Sequence, residues 1–183
     1  MSVGKKILWI TQTAMMLALL VALQGITAGL GNQLLTGSCV NLVLVAAALL
    51  VGTWGGAVVA LISPFMAFLL QIGPKYIQLI PAIAVGNLVL VLIYSLILGQ
   101  NKQPVWKQAV ALAGAAAAKF VALYLLAVQL VIPGMVSGGV VQAAAAGKLG
   151  ATFGVTQLIT AIIGGAVALA VVPLVRKALR KGG

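Results

Sequence analysis

Apolar residues run along this chain in blocks, and polar residues appear as short breaks between them. The blocks are Ile7–Leu30, Cys39–Val51, Trp54–Ile72, Ile77–Leu98, Val105–Ile132 and Thr152–Val175. A helix crosses ~30 Å of hydrocarbon with roughly 20 apolar residues at ~1.5 Å each. Only the second block is clearly short, and it can borrow a turn from Leu34–Ser38. The pattern predicts an all-α integral membrane protein, a six-transmembrane-helix bundle with N- and C-termini cytoplasmic. Its expected spans cover 7–30, 36–51, 54–72, 77–98, 105–132 and 152–175, and residues 1–183 form a single membrane domain. The ambiguous point is Gly52-Thr53-Trp54-Gly55-Gly56, either a tight turn or a flexible patch inside one long helix.

Charge placement bears on that point. With six spans and a cytoplasmic N-terminus, the inside holds Lys5, Lys6, Lys102, Lys107, Arg176, Lys177, Arg180 and Lys181, against Lys75 and Lys148 outside. Merging the second and third blocks leaves at best six charges against four. Cytoplasmic loops carry the excess of Lys and Arg, which favours six. The apolar stretch after Lys6 exceeds the ~7–15 residues of a signal-peptide core, so it reads as a retained first span. Pro64 and Pro81 fall within expected spans and read as kinks that neighbouring helices accommodate. The Gly-, Ala- and Ser-rich stretch Pro133–Gly150 reads equally as a loop or as a helix at the outer surface.

Composition narrows the chemistry. The chain is 63% hydrophobic, and its net charge of +11 comes from Lys and Arg alone, with no Asp, Glu or His. The basic residues sit at expected span ends, where they set topology and meet lipid headgroups rather than nucleic acid. One cysteine, Cys39, allows no internal disulfide. General acid–base catalysis and metal binding usually need the side chains this chain lacks, so no enzyme activity, catalytic residue, metal site or cofactor is expected. No phosphate-binding Gly-rich loop followed by Lys and Ser or Thr occurs, so energy for any uphill transport must come from a partner or an ion gradient.

Lys119 lies well inside the fifth span, in Ala115-Ala116-Ala117-Ala118-Lys119-Phe120-Val121. A lysine there costs ~2.5–3.5 kcal/mol on insertion scales and usually faces a cavity or a partner. The competing reading is a snorkelling lysine or one capped by carbonyls. The pentapeptide Asn-Leu-Val-Leu-Val occurs at 41–45 and again at 87–91, which puts Asn41 and Asn87 each ~17 Å from the cytoplasmic side. Lys119, fourteen residues after Val105, lies ~21 Å from that side, and its side chain tilts back toward the asparagines. Three polar groups at one depth suggest a shared site, although depth alone does not give their faces. Gln33, Lys75, Tyr76, Gln78, Tyr124 and Gln157 are candidate substrate contacts in the outer half, with Gln129 and Thr160 nearby in depth. Ala14, Ala18 and Ala22 form an i, i+4, i+8 stripe that suits either close approach of a partner helix or internal packing.

These residues resemble the substrate-binding S components of energy-coupling factor (ECF) vitamin transporters. The resemblance rests on the six-span pattern, the alanine stripe, Thr36-Gly37-Ser38 leading into Asn41, Gly52-Thr53-Trp54-Gly55-Gly56, Pro64-Phe65, Gly86-Asn87 and Lys119-Phe120. It implies a multi-pass protein of the prokaryotic plasma membrane that captures a small vitamin or related micronutrient near its outer face. It further implies a transmembrane coupling (T) subunit, two cytoplasmic ATPases, and delivery by toppling in the membrane. Ala14, Ala18 and Ala22 would contact the coupling subunit. The histidine-bearing N-terminus of nickel and cobalt members is absent, and Lys119 favours an anionic or neutral-polar substrate that carries a carboxylate, a phosphate or another electron-rich group. A non-transporting membrane scaffold, in which Lys119 pairs with a partner's acid, is the main alternative, and a small channel a weaker one.

Overall fold

The computed structural model describes residues 2–98 and 103–181; Lys102 lies outside them, as do the side chains of Arg180 and Lys181. The described residues form helices joined by short turns, with no strand among them. The chain order is α1 (Val3–Ala28), α2 (Gln33–Leu50), α3 (Thr53–Leu69), a single 3₁₀ turn (Ile77–Leu79), α4 (Ile80–Leu98) and α5 (Val105–Leu123). A π-helical stretch (Tyr124–Val131), α6 (Ile132–Ser137), α7 (Ala143–Phe153) and α8 (Val155–Lys181) complete it. Among the described residues, five stretches are long and apolar enough to cross a membrane: Val3–Ala28, Gln33–Leu50, Ile77–Leu98, Val105–Ser137 and Ala143–Ala178. The apolar helix Thr53–Leu69 is shorter, at 17 residues.

Several boundaries differ from the sequence expectation for identifiable reasons. Helix α2 begins at Gln33 because the Asn32 side chain accepts hydrogen bonds from the N–H groups of Leu34 and Leu35. That cap satisfies two donors that would otherwise be orphaned at the helix start. The chain breaks between α2 and α3 at Gly52, whose φ of 96° is one that residues with a Cβ rarely adopt. The glycine-rich pentapeptide is therefore a turn between two helices. Helix α3 stops at Leu69, short of the expected Ile72, and Gln71 adopts a φ of 58° as the chain turns back. Pro81 is in the first turn of α4, where its missing N–H costs no helical bond, so it makes no mid-helix kink. Pro133 follows the π-helical stretch, and Pro64 and Pro173 lie inside α3 and α8. The stretch 133–150 is largely helical, comprising most of α6 and the first two turns of α7.

The outer surface is apolar, with Ile7, Leu8, Ile26, Leu61, Phe65, Leu96, Val121, Leu125 and Leu174 all exposed. A water-soluble chain of this size rarely exposes so much continuous apolar surface. The interior is packed from small and branched residues, among them Leu20, Val43, Leu44, Val59, Leu90, Ala115 and Ala168. Glycines set the closest approaches between helices. A Cβ on Gly164 of α8 would meet the α2 backbone at Ser38 O and Leu42 N. A Cβ on Gly86 of α4 would meet Leu123 at the end of α5. The pairs α2–α8 and α4–α5, drawn together at these glycines, are the most extensive in the bundle. They carry Asn41, Asn87 and Lys119 into one place.

Candidate functional site

A cavity of about 450 Å³ opens at the end of the bundle that holds the α1–α2 turn, the α3–α4 turn and α7. This volume falls in the usual small-molecule range of ~300–1,000 Å³. Asn41 is eight residues into α2 from Gln33, so the floor lies about 12 Å below the start of that helix.

Lys119, Asn41 and Asn87 form that floor, and their exposures are 1%, 1% and 2%. Lys119 Nζ donates to Asn41 Oδ1 at 2.6 Å and to Asn87 Oδ1 at 2.8 Å. A lysine head can only donate, so both amides must turn their oxygens toward it. This leaves their NH₂ groups for other partners. The Asn41 NH₂ donates to Gly37 O at 2.9 Å and to Thr160 Oγ1 at 3.2 Å, and Thr160 donates to Gln157 O at 3.2 Å. One polar network thereby ties α2, α4, α5 and α8. The three polar groups expected at one depth do share a face.

Of the outer-half candidates, Gln33, Lys75, Tyr76 and Gln157 line the cavity, and Lys75 and Gln33 are exposed at its rim. Gln78 and Tyr124 do not. Gln78 is exposed on the 3₁₀ turn, where Leu79 takes the inward position. Tyr124 is five residues after Lys119, about 140° around the helix, and it accepts a hydrogen bond from exposed Gln129 at 2.7 Å. Depth was readable for these residues; azimuth was not.

The structure adds lining residues that the pattern did not single out as substrate contacts. Gln24 of α1 is buried, and its Nε2 reaches Ile72 O at 3.4 Å. An amide inside an apolar block carries the same kind of sequence signal as Lys119. Ser63 of α3 also lines the cavity; it is 1% exposed, and its hydroxyl has no hydrogen-bond partner among the described residues. A serine beside Pro64 carries no sequence signal for this, because helical serines commonly bond back to their own backbone. Lys148 and Thr152 enter from α7, which supplies one wall together with Leu149 and Phe153. By sequence Lys148 is a topology charge; in the fold it also faces the cavity.

The site therefore carries Lys119 at its floor and Lys75 and Lys148 nearer the opening, in a chain with no Asp or Glu to oppose them. Its chemistry is that of hydrogen-bond donors and positive charge. No His, Asp or Glu is available to move a proton or hold a metal, and no group of three metal-binding side chains occurs among the described residues. Away from the cavity, Ala14, Ala18 and Ala22 all lie on the exposed side of α1, while Thr13, Leu20, Gln24 and Thr27 face the bundle.

A family model described as the substrate-specific component of ECF transporters matches residues 9–176. No curated protein and no solved structure matches the chain significantly.

Proposed function

Because the chain belongs to the family of ECF transporter substrate-specific components, we propose that its cavity is the substrate site and that Lys119 is its central contact. The proposed ligand is a small water-soluble vitamin or related micronutrient bearing an anionic or electron-rich group. The observation that carries this reading is a fully buried lysine at a cavity floor, capped among the described residues by two neutral amides. A buried cation without a counter-ion is costly, and a ligand that supplies electron density offsets that cost.

The wider reading follows from the family. The chain is a non-catalytic binding subunit, a single membrane domain of the prokaryotic plasma membrane. It works with a transmembrane coupling subunit and two cytoplasmic ATPases. Helix α3, about 26 Å long, is the remaining span, extended by the residues up to Ile72. Six spans with both termini cytoplasmic put the cavity mouth outside, where a nutrient arrives. The exposed alanine stripe on α1 is the coupling face, since small side chains let another helix approach closely.

The test begins with native mass spectrometry of the purified protein to identify a co-purifying molecule, followed by calorimetry with that molecule. Lys119→Met retains most of the stem and removes the donors. Loss of a charge-assisted hydrogen bond of ~1.5–3 kcal/mol corresponds to a fall in affinity of about 10- to 150-fold. Unchanged affinity in a folded Lys119→Met variant would make this lysine a purely structural member of the network.

A further inference from the structure

The floor also constrains which kind of anion it can hold. A lysine ammonium has three N–H donors. Two go to Asn41 Oδ1 and Asn87 Oδ1, which leaves one. The Asn41 NH₂ is taken by Gly37 O and Thr160 Oγ1. The Asn87 NH₂ is different: its oxygen must face Lys119, and no described residue accepts from its nitrogen. Asn87 is 2% exposed and lines the cavity. Among the described residues only the Ser63 and Tyr94 hydroxyls are sealed from any partner, so this NH₂ is accessible, and the cavity that Asn87 lines is where it opens. Two free donor groups therefore meet at the floor, one on Lys119 and one on Asn87, joined by the bond between these residues.

We infer that the cavity floor is a carboxylate site, in which Lys119 Nζ and Asn87 Nδ2 each donate to one oxygen of a single ligand carboxylate. The substrate class is then a small organic acid that enters acid end first. This rests on the binding-subunit reading above and narrows it. One negative charge matches one buried ammonium, and two oxygens match two donor groups. A phosphate monoester brings about −1.5 to −2 charges and three terminal oxygens, more than this floor can satisfy. A primary carboxamide would turn its own NH₂ toward one of the two donors. Above the floor, Val40, Ala67 and Ile83 offer apolar walls to the body of such an acid, and Lys75 and Lys148 can meet a polar tail nearer the opening.

The test uses the full chain in lipid nanodiscs and matched probes that differ at the acid: nicotinate with nicotinamide, biotin with its methyl ester, and pantothenate with panthenol. Pyridoxine 5′-phosphate and pyridoxine form the phosphate control. At least one acid is expected to bind at least about 10-fold more tightly than its neutral partner, the lower end for a charge-assisted hydrogen bond. The second arm is Asn87→Asp, which supplies Lys119 with an internal carboxylate and removes the amide donor. This variant is expected to melt no lower than the unmodified protein and to bind that acid at least about 10-fold more weakly. A merely structural Asn87 would not separate stability from binding in this way. Equal binding of acid and neutral partner, or full affinity in Asn87→Asp, overturns the assignment. So does binding of only the phosphate or a neutral compound, or a co-purifying molecule without a carboxylate, although those results leave the binding-subunit reading standing. If no probe binds and no small molecule co-purifies, both readings fail. Should Asn87→Asp not fold, the acid–neutral comparison on the unmodified chain decides.

Discussion

Ser63 is a hydroxyl buried without a partner in a wall of the cavity. Leaving a buried polar group unsatisfied costs about 1–3 kcal/mol, whereas an alanine in the same place leaves nothing unpaired. Ser63→Ala should therefore raise the stability of the ligand-free protein by about that amount, measured by thermal unfolding in detergent. A lower or unchanged melting temperature would mean that the hydroxyl already has a partner in solution. Lys119 is the contrasting case. Its head is held by Asn41 and Asn87, and its position inside a span makes it the most legible residue in the chain. Ser63 was illegible because its meaning lies in a missing bond, and nothing in the letters Ser-Pro-Phe records which rotamer the packed helix imposes.

Among the elements, the α2–α8 crossing positions the network and depends on one glycine. A Cβ at Gly164 would meet the α2 backbone at Ser38, about one turn before Asn41, and at Leu42, next to it. Backbone cannot rotate out of the way as a flexible side chain can. Gly164→Ala is expected to cost about 1–3 kcal/mol as overpacking and to weaken ligand binding by displacing Asn41. Gly147 of α7 is the control, because a Cβ there meets nothing within 4 Å. Replacing it with alanine should stabilise the helix by about 0.5–1 kcal/mol. Thermal melts of the two variants should move in opposite directions, and a wild-type melt for Gly164→Ala would contradict the close approach. Helix α1 yields a different expectation, since its alanines face outward. Ala18→Trp should leave the fold and ligand binding of the isolated chain intact while reducing assembly with a coupling subunit in pull-down. Normal assembly would remove the stripe from the coupling face.

For the whole molecule, the test is topology. Trp9, Trp54 and Trp106 lie near the starts of α1, α3 and α5, at the bundle end opposite the cavity mouth. Tryptophan is enriched at the membrane–water interface, and basic residues favour the cytoplasmic side. Lys107 sits over the Trp106 ring at 5.6 Å, joining the two signals at one depth. After replacement of the lone Cys39 with serine, single cysteines at positions 107 and 177 should react only with reagent admitted to the cytoplasm. A cysteine at position 75 should react from outside. Reaction of positions 75 and 107 from the same side would refute the six-span arrangement.

The sequence by itself determined that the chain is helical and apolar enough for a membrane, where most of its long helices fall, and which polar groups share a depth, while the helices between 133 and 150 stayed open. Those properties follow from hydrophobic content and from a helical rise that is nearly constant along the chain. Only the tertiary structure decided which of those groups meet, because azimuth depends on how each helix is rotated against its neighbours. Gly164 against α2 and Gly86 against Leu123 set that rotation, and so close Asn41, Asn87 and Lys119 into one network. The same packing turns Tyr124 and Gln78 away from the cavity and brings in Gln24, Ser63 and α7. Depth adds up residue by residue along one helix, whereas a shared face is a property of several helices at once.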